Sequence, residues 1–305
     1  MFRAYNLWVT SPPTETPPTA LIEAATVIEA NLDDSLQAST LPSHLYDAAH
    51  YAVVNGGKRV RPALTLLCAQ AVGGTQEQAM SAAIAVEFIH CFSLVHDDLP
   101  AIDDDELRRG KPTLHIHAGE AMAVLAGDLL LPLAFMQLST AQYDTEQKVQ
   151  LMHELAKATR DMVVGQVYDT LGGIPQKLTP KEGLKEIHQN KTGALIKCAC
   201  VMGGICGNAS SDSLRSIEQF GEAIGLMFQI VDDLIDLHGE TEHVGKTTGK
   251  DADAGKTTYP GTIGVEGSKE AVLQLQQQAD AALQPLGDSA ETLRSFNVWM
   301  AHRTR

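Results

Sequence analysis

His96-Asp97-Asp98-Leu99-Pro100-Ala101-Ile102-Asp103-Asp104-Asp105-Glu106-Leu107-Arg108-Arg109-Gly110 sets six carboxylates within ten residues, Asp97 to Glu106. Like charges about 4 Å apart cost ~1 kcal/mol per pair in water and several times that in a cleft. Without a cation among them, some would have to protonate. The run closes an almost uninterrupted apolar segment, Ala79 to Val95, which reads as a buried helix delivering acids to the mouth of a cavity. Pro100 stops that helix, because the residue before a proline disfavours helical geometry. Arg108 and Arg109, just past the acids, suit a second polyanion rather than the metal itself.

The rest of the chain fits that reading. It has 305 residues, 44% of them hydrophobic, and 38 acids against 23 Lys and Arg give a net charge of −15. That balance argues against a nucleic-acid partner, which would need a basic footprint. Acidic ligands remain compatible if divalent cations bridge them. Five cysteines, an odd number in apolar segments, read as reduced, buried and cytoplasmic. No unbroken apolar run reaches the roughly 18 residues of a membrane span, so no transmembrane segment is expected. The N-terminus lacks a signal-peptide pattern. Residues 1–17, rich in proline and threonine, read as a mobile leader, and 18–305 as a single domain.

Helical periodicity dominates from Thr19 onward, where Leu21, Ala24, Ala25, Ile28 and Leu32 recur at three- and four-residue spacing. A second helix over about 45–54 ends at Asn55-Gly56-Gly57. Then Lys58-Arg59-Val60-Arg61-Pro62 brings three cations to the start of the next helix, beside glycines and an anion-suited N-terminus. In the helix over 76–98, His90 and Asp97 lie about 20° apart in azimuth and roughly 10 Å apart along the axis. Further helices are expected at 119–139, 145–168, 179–189 and 193–206. Between the last two, Asn190-Lys191-Thr192-Gly193 reads on its own as a helix start capped by Thr192.

From Ser213 to His238, the side chains of Ile217, Phe220, Ile224, Met227, Val231 and Leu234 fall on one stripe. Gln229, Asp232, Asp233 and Asp236 fall on an arc opposite, and no Lys or Arg occurs between Arg215 and Lys246. Surface faces usually interleave the signs. Unpartnered aspartates ask for a metal, and hard oxygen ligands mean Mg²⁺ rather than zinc. A polar loop over 239–258 with Lys246, Lys250 and Lys256 is long enough to act as a lid. Helices over 268–283 and 288–303 complete an all-α chain of about a dozen helices.

Two aspartate-rich motifs about 130 residues apart resemble those of the trans-type short-chain prenyl diphosphate synthases. The matching pieces, in the family's order, are Gly57-Lys58-Arg59-Val60-Arg61-Pro62, Asp97-Asp98-x-x-x-x-Asp103, Arg108-Arg109-Gly110, Lys191-Thr192-Gly193, Phe228-Gln229-x-x-Asp232-Asp233-x-x-Asp236 and Gly245-Lys246. The resemblance covers roughly residues 20–300. It implies the isoprenoid synthase helical bundle around a central apolar cavity, working as a homodimer. It also implies Mg²⁺, three ions per active site, held by Asp97, Asp103 and Asp232 with Asp98 and Asp236 in support. Arg108, Lys191, Thr192, Gln229, Lys246 and Lys256 would complete the site for an allylic diphosphate. Isopentenyl diphosphate would sit on Lys58, Arg61, His90 and Arg109.

The implied reaction ionises the allylic carbon–oxygen bond, condenses the cation with isopentenyl diphosphate, and eliminates a proton to the released diphosphate. In the family, bulk just upstream of the first aspartate limits the product. Here Phe92 stands five positions before Asp97 and Ser93 four before, and the first motif carries two extra residues. That combination resembles bacterial farnesyl diphosphate synthases, with geranyl or geranylgeranyl diphosphate as alternative products. An ideal helical wheel puts Ser93, not Phe92, nearest Asp97 in azimuth. A silent subunit of a heteromeric synthase would have lost one acidic motif or the basic contacts. A metal-dependent phosphohydrolase would need further histidine ligands, and a terpene cyclase would have no use for a second diphosphate site. The leader and the bulky ending Phe296 to Arg303 depart from the family pattern, although Arg303 stands where a terminal base is expected.

Overall fold

A computed structural model describes residues 16–37, 40–238 and 257–304. The helices are α1 (Thr19–Gln37), α2 (Ser43–Val54), α3 (Val60–Ala71), α4 (Gln76–Asp97), α5 (Leu114–Ala118), α6 (Glu120–Thr140), α7 (Thr145–Thr170), α8 (Pro180–His188), α9 (Ala194–Cys206), α10 (Ser211–His238), α11 (Tyr259–Leu283) and α12 (Glu291–His302). Between α4 and α5 a two-residue antiparallel pair, β1 (Leu107–Arg108) and β2 (Lys111–Pro112), forms the only sheet among the described residues. The fold is all-α, as the periodicity predicts.

Local chemistry sets several boundaries. Thr75 and Gln78 form a reciprocal cap at the start of α4, as do Asp144 with Gln147 on α7 and Thr179 with Glu182 on α8. Helix α2 stops at Asn55, followed by Gly56 and Gly57 in left-handed conformations that side chains resist. The core runs continuously from Leu21 to Ala301, with Phe88, Phe220 and Phe296 among its largest fully buried side chains. Helix α9 is buried along nearly its whole length and packs against α3, α4, α7 and α10. All five cysteines are free and buried.

Three expectations need correction. Thr192 caps no helix: α8 passes into α9 through a continuous π turn, Gln189–Gly193, with αR geometry at His188, Gly193 and Ala194. Propensity could not see this, because neighbouring helices hold the turn. Of the two final helices the first is longer and more broken than periodicity suggests, and the second is shorter. Helix α11 starts at Tyr259 and kinks at Gly264, and a 3₁₀ segment (Gln284–Ala290) precedes α12. Finally, α4 and α6 are long and apolar enough, by length and composition, to cross a membrane. Scattered single charges had broken the uninterrupted runs on which the sequence reading relied. Most of the most apolar stretch of α4 is buried within the bundle, whereas α6 keeps Val124, Leu125 and Met136 exposed.

Candidate active site

The polar end of α4 is built by a tight turn. Asp98 N–H closes on Leu94 O (3.1 Å), and Asp103 N–H returns to Asp97 O (2.9 Å), which folds Asp103 back toward Asp97. Asp97 is partly buried, and its pKa is raised to about 6. Burial is the main cause. Lys191 opposes it, Asp103 adds to it, and smaller effects come from Arg108 and Asp98. Asp98 is buried and already engaged: Arg108 Nε donates to both its oxygens at 2.8 Å, and Arg108 Nη2 to Oδ1. Burial works against the Arg108 charge, but the bonds to Asp98 outweigh it.

Arg109 and Gly110 form the two-residue loop of the hairpin, both with positive φ (55° and 74°), the conformation a type I′ turn demands. From there the Arg109 guanidinium donates to Gly56 O. Gly57 has a φ of 125°, which a side chain resists, and a Cβ there would meet the movable Arg109 guanidinium. Arg61 Nη1 lies 3.4 Å from His90 Nε2, and its guanidinium sits 5.8 Å over the Phe228 ring. Burial lowers the Arg61 pKa, and Asp232 is among the charges that sustain it. His90 is pushed well below its ordinary value by burial, then by Arg61 and Arg109, and is neutral at pH 7. Lys58 is exposed.

Arg59 turns away from this cluster. Only 3% exposed, it donates to Glu87 Oε1 and to Val53 O, each at 2.7 Å. Its φ of 49° is a strained position for a side-chain-bearing residue, held by that buried pair. Sequence reasoning gave Glu87 no role, since nothing local marks it as the partner of a residue 28 positions earlier.

On the opposite wall, Lys191 Nζ donates to Asp169 Oδ2 of α7 (2.6 Å), and Thr192 Oγ1 to Gln229 Oε1 of α10 (2.9 Å). Gln229 Nε2 donates in turn to Asp233 Oδ1 (3.1 Å). Asp233 is 5% exposed, accepts Tyr259 N–H at 2.9 Å, and faces His188 at 3.3 Å. Asp232 pairs instead with the guanidinium of Arg303, which also reaches Phe228 O and lies 4.6 Å over the Phe228 ring. The expectation of unpartnered aspartates on α10 therefore fails. Their partners come from Tyr259 and Arg303, too distant in sequence for spacing to reveal. Asp236 is partly buried. Asp169, His188 and Arg303 are among the polar residues here that the sequence gave no definite role.

Lys246 and Lys256 lie outside the described residues. The expected chain-length residues sit one turn up α4. Phe92 meets His96 edge-on (centroids 5.0 Å, 73°), and Ser93 Oγ donates to His90 O (2.8 Å). A small void of about 30 Å³ lies behind Asp98, Arg108 and Arg109, and a surface cleft of about 380 Å³ lies beside Tyr51 and His117. Neither is lined by a residue of the second acidic motif.

The donor set suits Mg²⁺. Among the described residues no three ligating side chains already form a metal site. Mg²⁺ is normally held by one or two carboxylates together with substrate phosphates rather than by an all-protein cage. Asp97, partly buried and with its pKa raised despite Lys191 and Arg108, is the kind of ligand such an ion would complete.

Comparison with known proteins converges on one family. The polyprenyl synthetase family matches residues 42–291. Geranylgeranyl pyrophosphate synthase 4 of Arabidopsis thaliana is 42% identical over 287 residues, 93% of this chain and 77% of that protein. Heterodimeric geranylgeranyl pyrophosphate synthase large subunit 2 of the same plant is 43% identical over 268 residues, 87% of this chain and 71% of that one. The apo crystal structure of an FPP/GFPP synthase from Zymomonas mobilis superposes with a TM-score of 0.81 at 34% identity, covering 93% of this chain and 98% of that one.

Proposed function

The chain belongs to the polyprenyl synthetase family and is a prenyltransferase, and we propose on that premise that it condenses isopentenyl diphosphate with dimethylallyl and geranyl diphosphates to give farnesyl diphosphate. The observation that carries this reading is the position of Arg61. Between His90 of α4 and Phe228 of α10, it sets a cationic site for one diphosphate beside two acidic motifs that would hold another.

Asp97, Asp103, Asp232 and Asp236 would hold Mg²⁺, with Asp98 orienting Arg108. When bound, the ions neutralise the departing diphosphate. Lys191 and Thr192, with Gln229, grip the same group as the allylic carbon–oxygen bond breaks and its electron pair leaves with the diphosphate. Lys58, Arg61, neutral His90 and Arg109 orient isopentenyl diphosphate, whose double bond forms the new carbon–carbon bond. The proton then lost goes to the released diphosphate, so no protein base is required. The apolar interior excludes water that would quench the cation.

The farnesyl product rests on Phe92, whose bulk below Asp97 would stop the growing chain. The relatives named as geranylgeranyl synthases favour a second reading, the same chemistry carried one unit further. Labelled isopentenyl and dimethylallyl diphosphates with Mg²⁺ decide between them. Fifteen carbons support the first reading and twenty the second, while no condensation removes both. Phe92→Ala should lengthen the product, and an unchanged product spectrum would clear Phe92 of that role.

We place the enzyme in the cytoplasm, a reading supported by its five free, buried cysteines. We also propose a homodimer in which a second copy covers the exposed Val124, Leu125 and Met136 of α6. Sedimentation at the chain's own single mass would contradict that assembly.

A further inference from the structure

The π turn that carries Lys191 and Thr192 is pressed between two helices at glycines. On α7, a Cβ added to Gly165 would overlap the backbone N of Lys191 and stand 2.6 Å from its Cα and 2.7 Å from Asn190 C. On α10, a Cβ added to Gly225 would stand 2.8 Å from Gly193 Cα and 3.0 Å from Gly193 O. Neither glycine has a positive φ, so turn geometry does not demand them. The approach of one backbone to another does.

Each glycine also lies one helical turn before the residue that tethers the adjacent side chain. Gly165 precedes Asp169, which holds Lys191 Nζ, and Gly225 precedes Gln229, which receives Thr192 Oγ1. The same face of each helix therefore fixes both the height of the turn and the direction of one side chain. A π turn is a rare irregularity that needs outside support.

We infer that Gly165 and Gly225 are positioning residues that clamp the Gln189–Gly193 turn from two sides and so set the reach of Lys191 and Thr192 toward the diphosphate. This rests on the proposed function, because the value of that reach lies in the group being gripped. Displacing a binding group by about 1 Å can cost on the order of 100-fold in rate.

The test is a pair of mutant cycles read by calorimetry with Mg²⁺ and inorganic pyrophosphate. Gly165→Ala should weaken binding about tenfold, and the loss should vanish in a Lys191→Ala background. Gly225→Ala should behave likewise against Thr192→Ala. Gly203→Ala is the control. Its Cβ would overlap Thr65 O in the α3–α9 packing, so it should lower thermal stability and leave pyrophosphate affinity unchanged. Should Gly165→Ala fail to fold, the less crowded Gly225→Ala decides. Wild-type affinity in the folded glycine variants, or losses that persist undiminished in the Lys191 and Thr192 backgrounds, would overturn the clamp. Amide exchange gives a readout independent of ligand. In the glycine variants, protection at 190–192 should fall relative to α9, and unchanged protection would also overturn the clamp. If the wild-type chain bound no Mg²⁺–pyrophosphate, the proposed function would fall, and exchange alone would judge the clamp.

Discussion

At the end of α4 Asp97 is partly buried with its pKa raised to about 6, whereas on α10 Asp232 is neutralised by Arg303 and Asp233 is built into the core by Gln229 and Tyr259. The sequence gives both places adjacent aspartates on a largely apolar helix. Their environments divide the labour. The first motif pairs Asp98 with Arg108, and the Asp97 pKa stays raised by burial even with Lys191 and Arg108 opposing it. The second assigns Asp233 to structure: its carboxylate receives the first N–H of α11. Adjacent acids thus serve opposite ends, one destabilised by its surroundings and one required by them.

The largest effects should come from the two aspartates read as ligands. Asp97→Ala and Asp232→Ala should each cut condensation by about 1,000-fold while the chain stays folded, checked by product formation alongside circular dichroism. Retained turnover in either would erase the functional parallel between the motifs. Next in size is the structural contrast. Asp233→Ala orphans the Tyr259 N–H and the Gln229 amide, and should cost about 2–3 kcal/mol in denaturant unfolding. Asp232→Ala takes the counterion from the buried Arg303, which keeps Phe228 O and the Phe228 ring, and should cost less, about 1 kcal/mol. Equal losses at both positions would remove the distinction between them.

Comparable in size to the Asp233 loss is a pH dependence without metal. Below about pH 3 the Asp97 carboxyl is protonated in folded and unfolded chains alike, so Asp97→Asn should leave stability unchanged. Between about pH 4 and 6 the unfolded chain releases this proton while the folded chain holds it, so the native chain loses stability that the Asn variant keeps, and the difference levels off above about pH 6. At pH 8 the variant should be more stable by about 3 kcal/mol, read from urea midpoints. An equal difference at pH 3 and pH 8 would mean that burial does not penalise the charge.

What the sequence made legible follows from what is local. The apolar period of α10, the stop at Asn55-Gly56-Gly57 and the end of α4 before Pro100 are decided by neighbouring residues, and the structure agrees with each. Side chains that meet across the bundle were not legible. Arg303 reaches Asp232 over 71 positions, and Arg59 finds Glu87 over 28. In Lys58-Arg59-Val60-Arg61 the three cations look equivalent, yet Arg59 is a core residue because its left-handed φ turns it inward, while Arg61 faces His90. The π turn at Lys191 escaped for the same reason. Glycines on two other helices hold it, and its own residues suggest only a capped helix start.

The most direct test of the central claim is calorimetric titration of inorganic pyrophosphate, with and without Mg²⁺, into the native chain, Asp97→Ala and Asp232→Ala. The expected result is binding only with Mg²⁺, strongly weakened when either aspartate is removed. Native affinity in one of the variants, or equal binding without the metal, would contradict the joint grip of two acidic motifs on one diphosphate.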